Sequence, residues 1–112
     1  MGIISRLKAK SSAKAENESL RAAAESNLTK FLATHSGVEG WLEPATGINR
    51  ESLLLVAGDG EWNRRVVPSL DWAHKFCVKR GVPVFQAGIV PYPKRMRDWN
   101  EAHREKKEHP EF

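Results

Sequence analysis

The longest uninterrupted apolar run in the chain, Leu53-Leu54-Leu55-Val56-Ala57, constrains the fold more than any other feature. It is too short for a buried helix and is bounded by turn residues, so it predicts a strand buried on both faces. Such a strand needs a covering layer, which points to a sheet with helices packed on it. Asp59-Gly60 follows the run at once. This pair predicts a two-residue hairpin turn, because both residues tolerate positive φ. The returning strand is then Glu61 to Val67. Strand alternation puts Trp62, Arg64 and Val66 on one face and Asn63, Arg65 and Val67 on the other.

The flanking segments supply the rest of the domain. Residues Ala13 to Thr34 read as a helix, with Leu20, Ala24, Leu28, Phe31 and His35 at spacings of three and four and Gly37 just past the end. The apolar stripe is thin, so this helix is expected to lie across the sheet. Val38 to Glu43 alternates like a strand, contains Trp41, and is broken by Pro44 and Gly47. Ser69 is a candidate N-cap for a helix running to about Arg80, with Asp71 in its first turn, Lys79 and Arg80 in its last, and Gly81 as its stop. Its stripe is Leu70, Ala73, Phe76 and Cys77. Val82 to Val90 reads as another strand, in which Pro83 argues for the first residue or an edge position, with Phe85, Ala87 and Ile89 on one face. After Pro91-Tyr92-Pro93, Pro93 can open a last helix that carries Met96 and Trp99 and turns polar by Arg104.

This order predicts an α+β (α/β) domain: a small mixed sheet of about four strands, arranged β-β-β-α-β, between N- and C-terminal helices. The strand from Glu61, the helix from Ser69 and the strand from Val82 suit a right-handed βαβ unit. The domain is expected over residues 15–100. Residues 1–14 form a basic flexible tail, and residues 101–112 a charged C-terminal tail.

Charge and cysteine content narrow the setting. The formal net charge is +4, and the stretch from Met1 to Lys14 holds Arg6, Lys8, Lys10 and Lys14 without an acid. The single cysteine, Cys77, excludes an intramolecular disulfide and a four-cysteine zinc site. On Ala73's side of its helix it is expected to act as a small buried hydrophobe. No apolar run approaches the ~20 residues needed to span a bilayer. With no signal-like apolar stretch after the N-terminus, a cytoplasmic location is expected. Met1 to Lys8 is short and amphipathic, so peripheral contact with an anionic membrane is a second reading beside the flexible tail. Arg6 stands where a myristoylation pattern wants Ser or Thr.

Candidate chemistry is sparse. Asp59 and Glu61 pair two carboxylates across a turn, which could suit a divalent cation, but a hairpin turn calls for Asp and Gly here without any ligand. No metal, cofactor or catalytic residue is predicted. Gly58 and Gly60 match neither a phosphate loop nor a dinucleotide fingerprint. Of the four histidines, His74 is the best candidate for acid–base work, its helix being packed. The most suggestive cluster is basic and aromatic: Trp62, Arg64, Arg65, Tyr92, Lys94, Arg95 and Arg97, with Trp99 nearby. Stacking surfaces beside cations can bind nucleic acid or an acidic protein surface. Lys94, Arg95 and Arg97 also open a helix, where the dipole slightly disfavours cations, so an anionic partner is one reason for them. The first functional reading is therefore a non-enzymatic accessory protein that engages an acidic partner, protein or nucleic acid, through this face. The alternative is a small enzyme or ligand-binding domain with a site near Asp59, Glu61 and His74.

Four strings carry a resemblance: Leu54 to Trp62, Arg64 to Pro68, Gly81 to Val84, and Tyr92 to Asp98. Together they resemble a family of small uncharacterised proteins from actinobacteria over roughly Val38 to Asn100. The resemblance implies a bacterial, cytoplasmic protein. It implies no activity, cofactor or functional residue.

Overall fold

The computed structural model describes the backbone of residues 2–107 and the side chains of residues 14–104. In chain order the elements are α1 (Gly2–Thr34), β1 (Glu39–Glu43), β2 (Ser52–Val56), β3 (Trp62–Val66), α2 (Leu70–Lys79), β4 (Val84–Gln86) and α3 (Lys94–Lys107). The result is the expected α+β fold with a four-stranded mixed sheet in the order β3-β2-β1-β4. The helix α1 begins at Gly2 instead of Ala13. The side chains before Lys14, and with them the expected basic tail and membrane contact, lie outside the described residues, as do residues 108–112.

β2 is an inner strand, and all five of its residues are buried. The reason is that helices cover both faces of the sheet. On one face, Leu53, Leu55 and Ala57 pack with Ala24, Leu28 and Phe31 of α1 and with Ala73, Phe76 and Cys77 of α2. On the other, Leu54 and Val56 pack with Trp41 and with Met96 of α3. The buried Trp41 indole donates to the Val90 carbonyl at 3.0 Å, so its polar atom is satisfied. The thin stripe of α1 lies against β3, where Asn63 Nδ2 donates to Asn27 Oδ1 at 2.7 Å.

Three local expectations are corrected. The β2–β3 hairpin forms, but its loop has three residues, not two. Ala57 N–H donates to the Glu61 carbonyl at 2.7 Å and Gly60 N–H to the Ala57 carbonyl at 2.9 Å. Only Gly60 takes positive φ, at 97°, and Asp59 stays at negative φ. This is a turn closed by a left-handed glycine, the usual form of a three-residue hairpin loop. Second, the last strand ends at Gln86 instead of Val90. The Gln86 carbonyl accepts from both Ile89 and Val90 N–H, closing a turn through Gly88, and Ile89 is left 73% exposed. Third, β3, α2 and β4 form a crossover, but β4 does not pair with β3. It pairs in parallel with β1, at the far edge of the sheet. Helix α2 packs on β1, β2 and β4 and carries the chain across both inner strands.

Ser69 caps α2, its hydroxyl accepting from Trp72 N–H at 3.0 Å. The α2 stripe then buries Cys77 completely. Gly40 on β1 makes this approach possible, since a Cβ there would stand 3.2 Å from Cys77 Sγ. Burial pushes the thiol up to about 11, against a small opposing effect of Arg80. Native Cys77 is therefore expected to react slowly with a soluble thiol reagent and quickly once the protein unfolds. Rapid stoichiometric labelling in native buffer would contradict this burial.

Candidate functional site

The basic and aromatic residues do not all share one face, since Arg65 lies apart from Trp62 and Arg64. Register places Trp62 opposite Val56 and Arg64 opposite Leu54, on the α3 side of the sheet. Arg64 lies 5.3 Å from the centre of the Trp62 ring. Arg65 sits opposite Leu53, on the α1 side. Arg64 is also committed internally. Its Nε and Nη2 bind the two oxygens of Glu43 at 2.7 and 2.9 Å, a forked pair. Ser52 and Tyr92 donate their hydroxyls to the same carboxylate. Burial opposes the Glu43 charge, but these donors hold its pKa below the ordinary range. Burial and the bond to Glu43 together raise the Tyr92 pKa. Arg64, Tyr92 and Glu43 thus line one groove at the far end of the sheet with Thr46, Asn49 and Arg50.

The cations that open α3 have internal reasons as well. Arg95 Nε donates to the Ala57 carbonyl at 2.8 Å, and its Nη2 binds Glu39 Oε1 at 2.7 Å. It therefore ties α3 to the end of β2. Lys94 pairs with Asp98 one turn on, at 3.2 Å. Arg97 is exposed on α3. Trp62 donates its indole N–H to Asn100 at 2.6 Å, which fastens the same helix to β3.

The second set of candidates also separates. Asp59 accepts from Glu61 N–H at 2.9 Å and so stabilises the hairpin loop. His74 stands exposed on α2. The histidine that meets Glu61 is His35, whose Nε2 lies 3.0 Å from Glu61 Oε1. No feature of the local sequence marks this pair, because its members come from the end of α1 and the β2–β3 loop. Among the described residues, no group of three or more His, Cys, Asp and Glu is placed to hold a metal ion. Nor is any described helix long and apolar enough to cross a membrane.

His35 and Arg95 both reach a larger open groove of about 830 Å³. It lies between the end of α1, the start of β1, the α2–β4 connection and α3. Leu32, Val38 and Val82 provide its apolar lining, and His35, Glu39, Arg80 and Arg95 its polar groups. Burial alone would lower the His35 pKa, but bonds to Glu61 and to the Phe31 carbonyl, with the charges of Glu61 and Asp59, leave it raised. Arg80 differs from the other cations of the groove in how loosely it is held. Its guanidinium stacks on Phe76 at 3.9 Å, while its contacts to Glu25 and the Phe76 carbonyl are long, at 3.5 and 3.4 Å. Glu25 is bound more closely by Arg21, at 2.9 Å. A guanidinium offers five donors, so Arg80 keeps the capacity for a forked carboxylate contact.

Compared with protein-family models, curated proteins and solved structures, the chain matches none.

Proposed function

We propose that this chain is a non-enzymatic binding protein of the bacterial cytoplasm that takes an acidic, partly apolar segment of a partner protein into the groove beside Arg80. On the strength of the four strings named above, we place it with the small actinobacterial proteins it resembles. The observation that carries the reading is Arg80 itself. Its guanidinium lies over Phe76, its polar contacts among the described residues are long, and it borders a groove lined by Leu32, Val38 and Val82. A carboxylate can bind the fork of the guanidinium while a neighbouring apolar side chain covers the lining, the usual division of labour in a recognition groove.

Two features favour a protein partner over the other candidates. Arg64, Lys94 and Arg95 are each paired with an acid of this chain, which makes these three less available to a phosphate backbone. Both ring nitrogens of His35 face partners within the protein, which favours binding over acid–base catalysis.

The test uses a fluorescent peptide that alternates Glu with Leu, titrated into the full chain near pH 7. Saturable binding is expected. Ala33→Glu places an acid on an exposed helical position that lines the groove, so it should weaken binding at least tenfold and leave the melting curve in place. Arg80→Lys should also weaken binding, because a lysine cannot make the forked contact. Failure of the peptide to bind, or equal binding by the Ala33→Glu variant, overturns the proposal. So does single-stranded DNA or RNA that binds where the peptide does not, with an affinity that falls steeply with salt.

A further inference from the structure

We infer that His35 is a proton-operated clamp that holds the end of α1 against the β2–β3 loop and so sets the shape of the groove. The inference rests on the proposed groove only for its effect on binding; the clamp itself is a property of the free protein.

The geometry around the ring is the basis. Nε2 faces the Glu61 carboxylate at 3.0 Å, and Nδ1 faces the Phe31 carbonyl at 2.9 Å. Thr34 Oγ1 also lies 2.9 Å from Nδ1, while the same hydroxyl approaches the Lys30 carbonyl at 3.0 Å. Thr34 has one hydroxyl proton. When it serves the carbonyl, the oxygen meets Nδ1 as an acceptor. With the hydroxyl so turned, both ring nitrogens face acceptors. A neutral imidazole can donate from only one of them, whereas the imidazolium donates from both. Loss of the proton leaves a lone pair facing the Glu61 carboxylate or, where Nε2 keeps its proton, facing the Phe31 carbonyl until the Thr34 hydroxyl turns to donate to Nδ1.

The ring is well placed to transmit that loss. It stacks on Phe31 with centroids 3.9 Å apart, and its side chain is only 17% exposed. The charged groups around it are Glu61 and Asp59 on the hairpin loop, the Glu39–Arg95 pair from β1 and α3, and Arg80 at the end of α2. Glu39 and Arg95 are joined to each other, so the carboxylate in direct contact with the imidazolium is Glu61. One further bond spans the same joint, from Gly58 N–H to the Ser36 carbonyl at 2.8 Å. Gly58 and His35 both line the groove. Loosening the joint therefore moves one wall of the groove relative to another.

The sign follows from linkage. His35 has a raised pKa in the folded state, so its contribution is complete below the ordinary histidine value of about 6.5 and is lost as pH rises through the raised value. Hydrogen exchange at the Gly58 amide, corrected for the intrinsic effect of pH, reads the joint without any ligand. Protection is expected to fall by up to about tenfold per pH unit within that window. In His35→Phe, which keeps the stacking and removes both donors, protection should be low and independent of pH. Wild-type protection that does not change with pH, or a His35→Phe variant that behaves like wild type, overturns the clamp. Should His35→Phe fail to fold, Glu61→Gln gives the second measurement. The NMR titration midpoint of the His35 ring should drop in that variant, and an unchanged midpoint overturns the clamp. Titration of the Glu–Leu peptide from pH 6 to 9 then separates the two ideas. Binding that weakens with rising pH in the wild type but not in His35→Phe joins clamp to groove, and pH-independent binding by the wild type overturns that link. Failure of the peptide at every pH overturns the groove reading and leaves the exchange result standing.

Discussion

Gly60→Ala is expected to destabilise the protein by roughly 2–5 kcal/mol, from left-handed strain and overpacking together. Two independent costs meet at this one atom. Gly60 has φ of 97°, which an L side chain rarely adopts. A Cβ built there would overlap the Arg95 carbonyl and stand 2.9 Å from Trp99 Cβ. The first clash is with backbone, so no side-chain rotation relieves it. The loop must move away from α3, and Arg95 then loses its hold on the Ala57 carbonyl. Chemical denaturation of the variant measures the effect. Gly47→Ala is the control, because nothing lies within 4 Å of a Cβ there and Gly47 has no positive φ. A loss below ~1 kcal/mol in Gly60→Ala would show that α3 is not seated on the hairpin loop as described.

Leu55→Ala is expected to cost about 2–5 kcal/mol, the range for removing a large aliphatic side chain from a site that cannot collapse. Leu55 is fully buried, on an inner strand, in the cluster shared with α1 and α2. It also pairs in register with Gly40 on one side and Asn63 on the other. Gly40 has no side chain to fill the gap. Helix α2 already approaches so closely that Cys77 Sγ would lie 3.2 Å from a Cβ on Gly40. The cavity is therefore expected to persist. Equilibrium unfolding in urea measures it, and a cost below ~1 kcal/mol would mean that the strand does not carry the core.

These two substitutions differ in how far the sequence announces them. Leu55 belongs to the one run that is apolar at every position, and that pattern alone identifies an inner strand. Ser69 and Gly81 likewise mark the ends of α2 in the sequence, because caps depend on backbone groups within a turn of them. The Asp59-Gly60 pair announces a hairpin but not its loop length. That length depends on where the ladder closes, and here the Ala57–Glu61 bond leaves three residues in the loop. The contact that makes Gly60 irreplaceable comes from Arg95 and Trp99, more than thirty residues away.

The same division separates the charged residues. Sequence by itself determined which residues carry charge, that Trp62 and Arg64 share a face while Arg65 does not, and that α1 presents only a thin apolar stripe. Those properties follow from composition and from the periods of strand and helix. Only the tertiary structure decided the partners. Glu43 gathers Arg64, Ser52 and Tyr92, Glu39 takes Arg95, and Glu61 takes His35. It also placed β4 beside β1 instead of β3, which brings Val82 and Pro83 into the groove with the end of α1. Periodicity fixes the direction in which a side chain leaves its own element. An ion pair between separate elements depends on how those elements dock, and docking is set by the packing of the whole core.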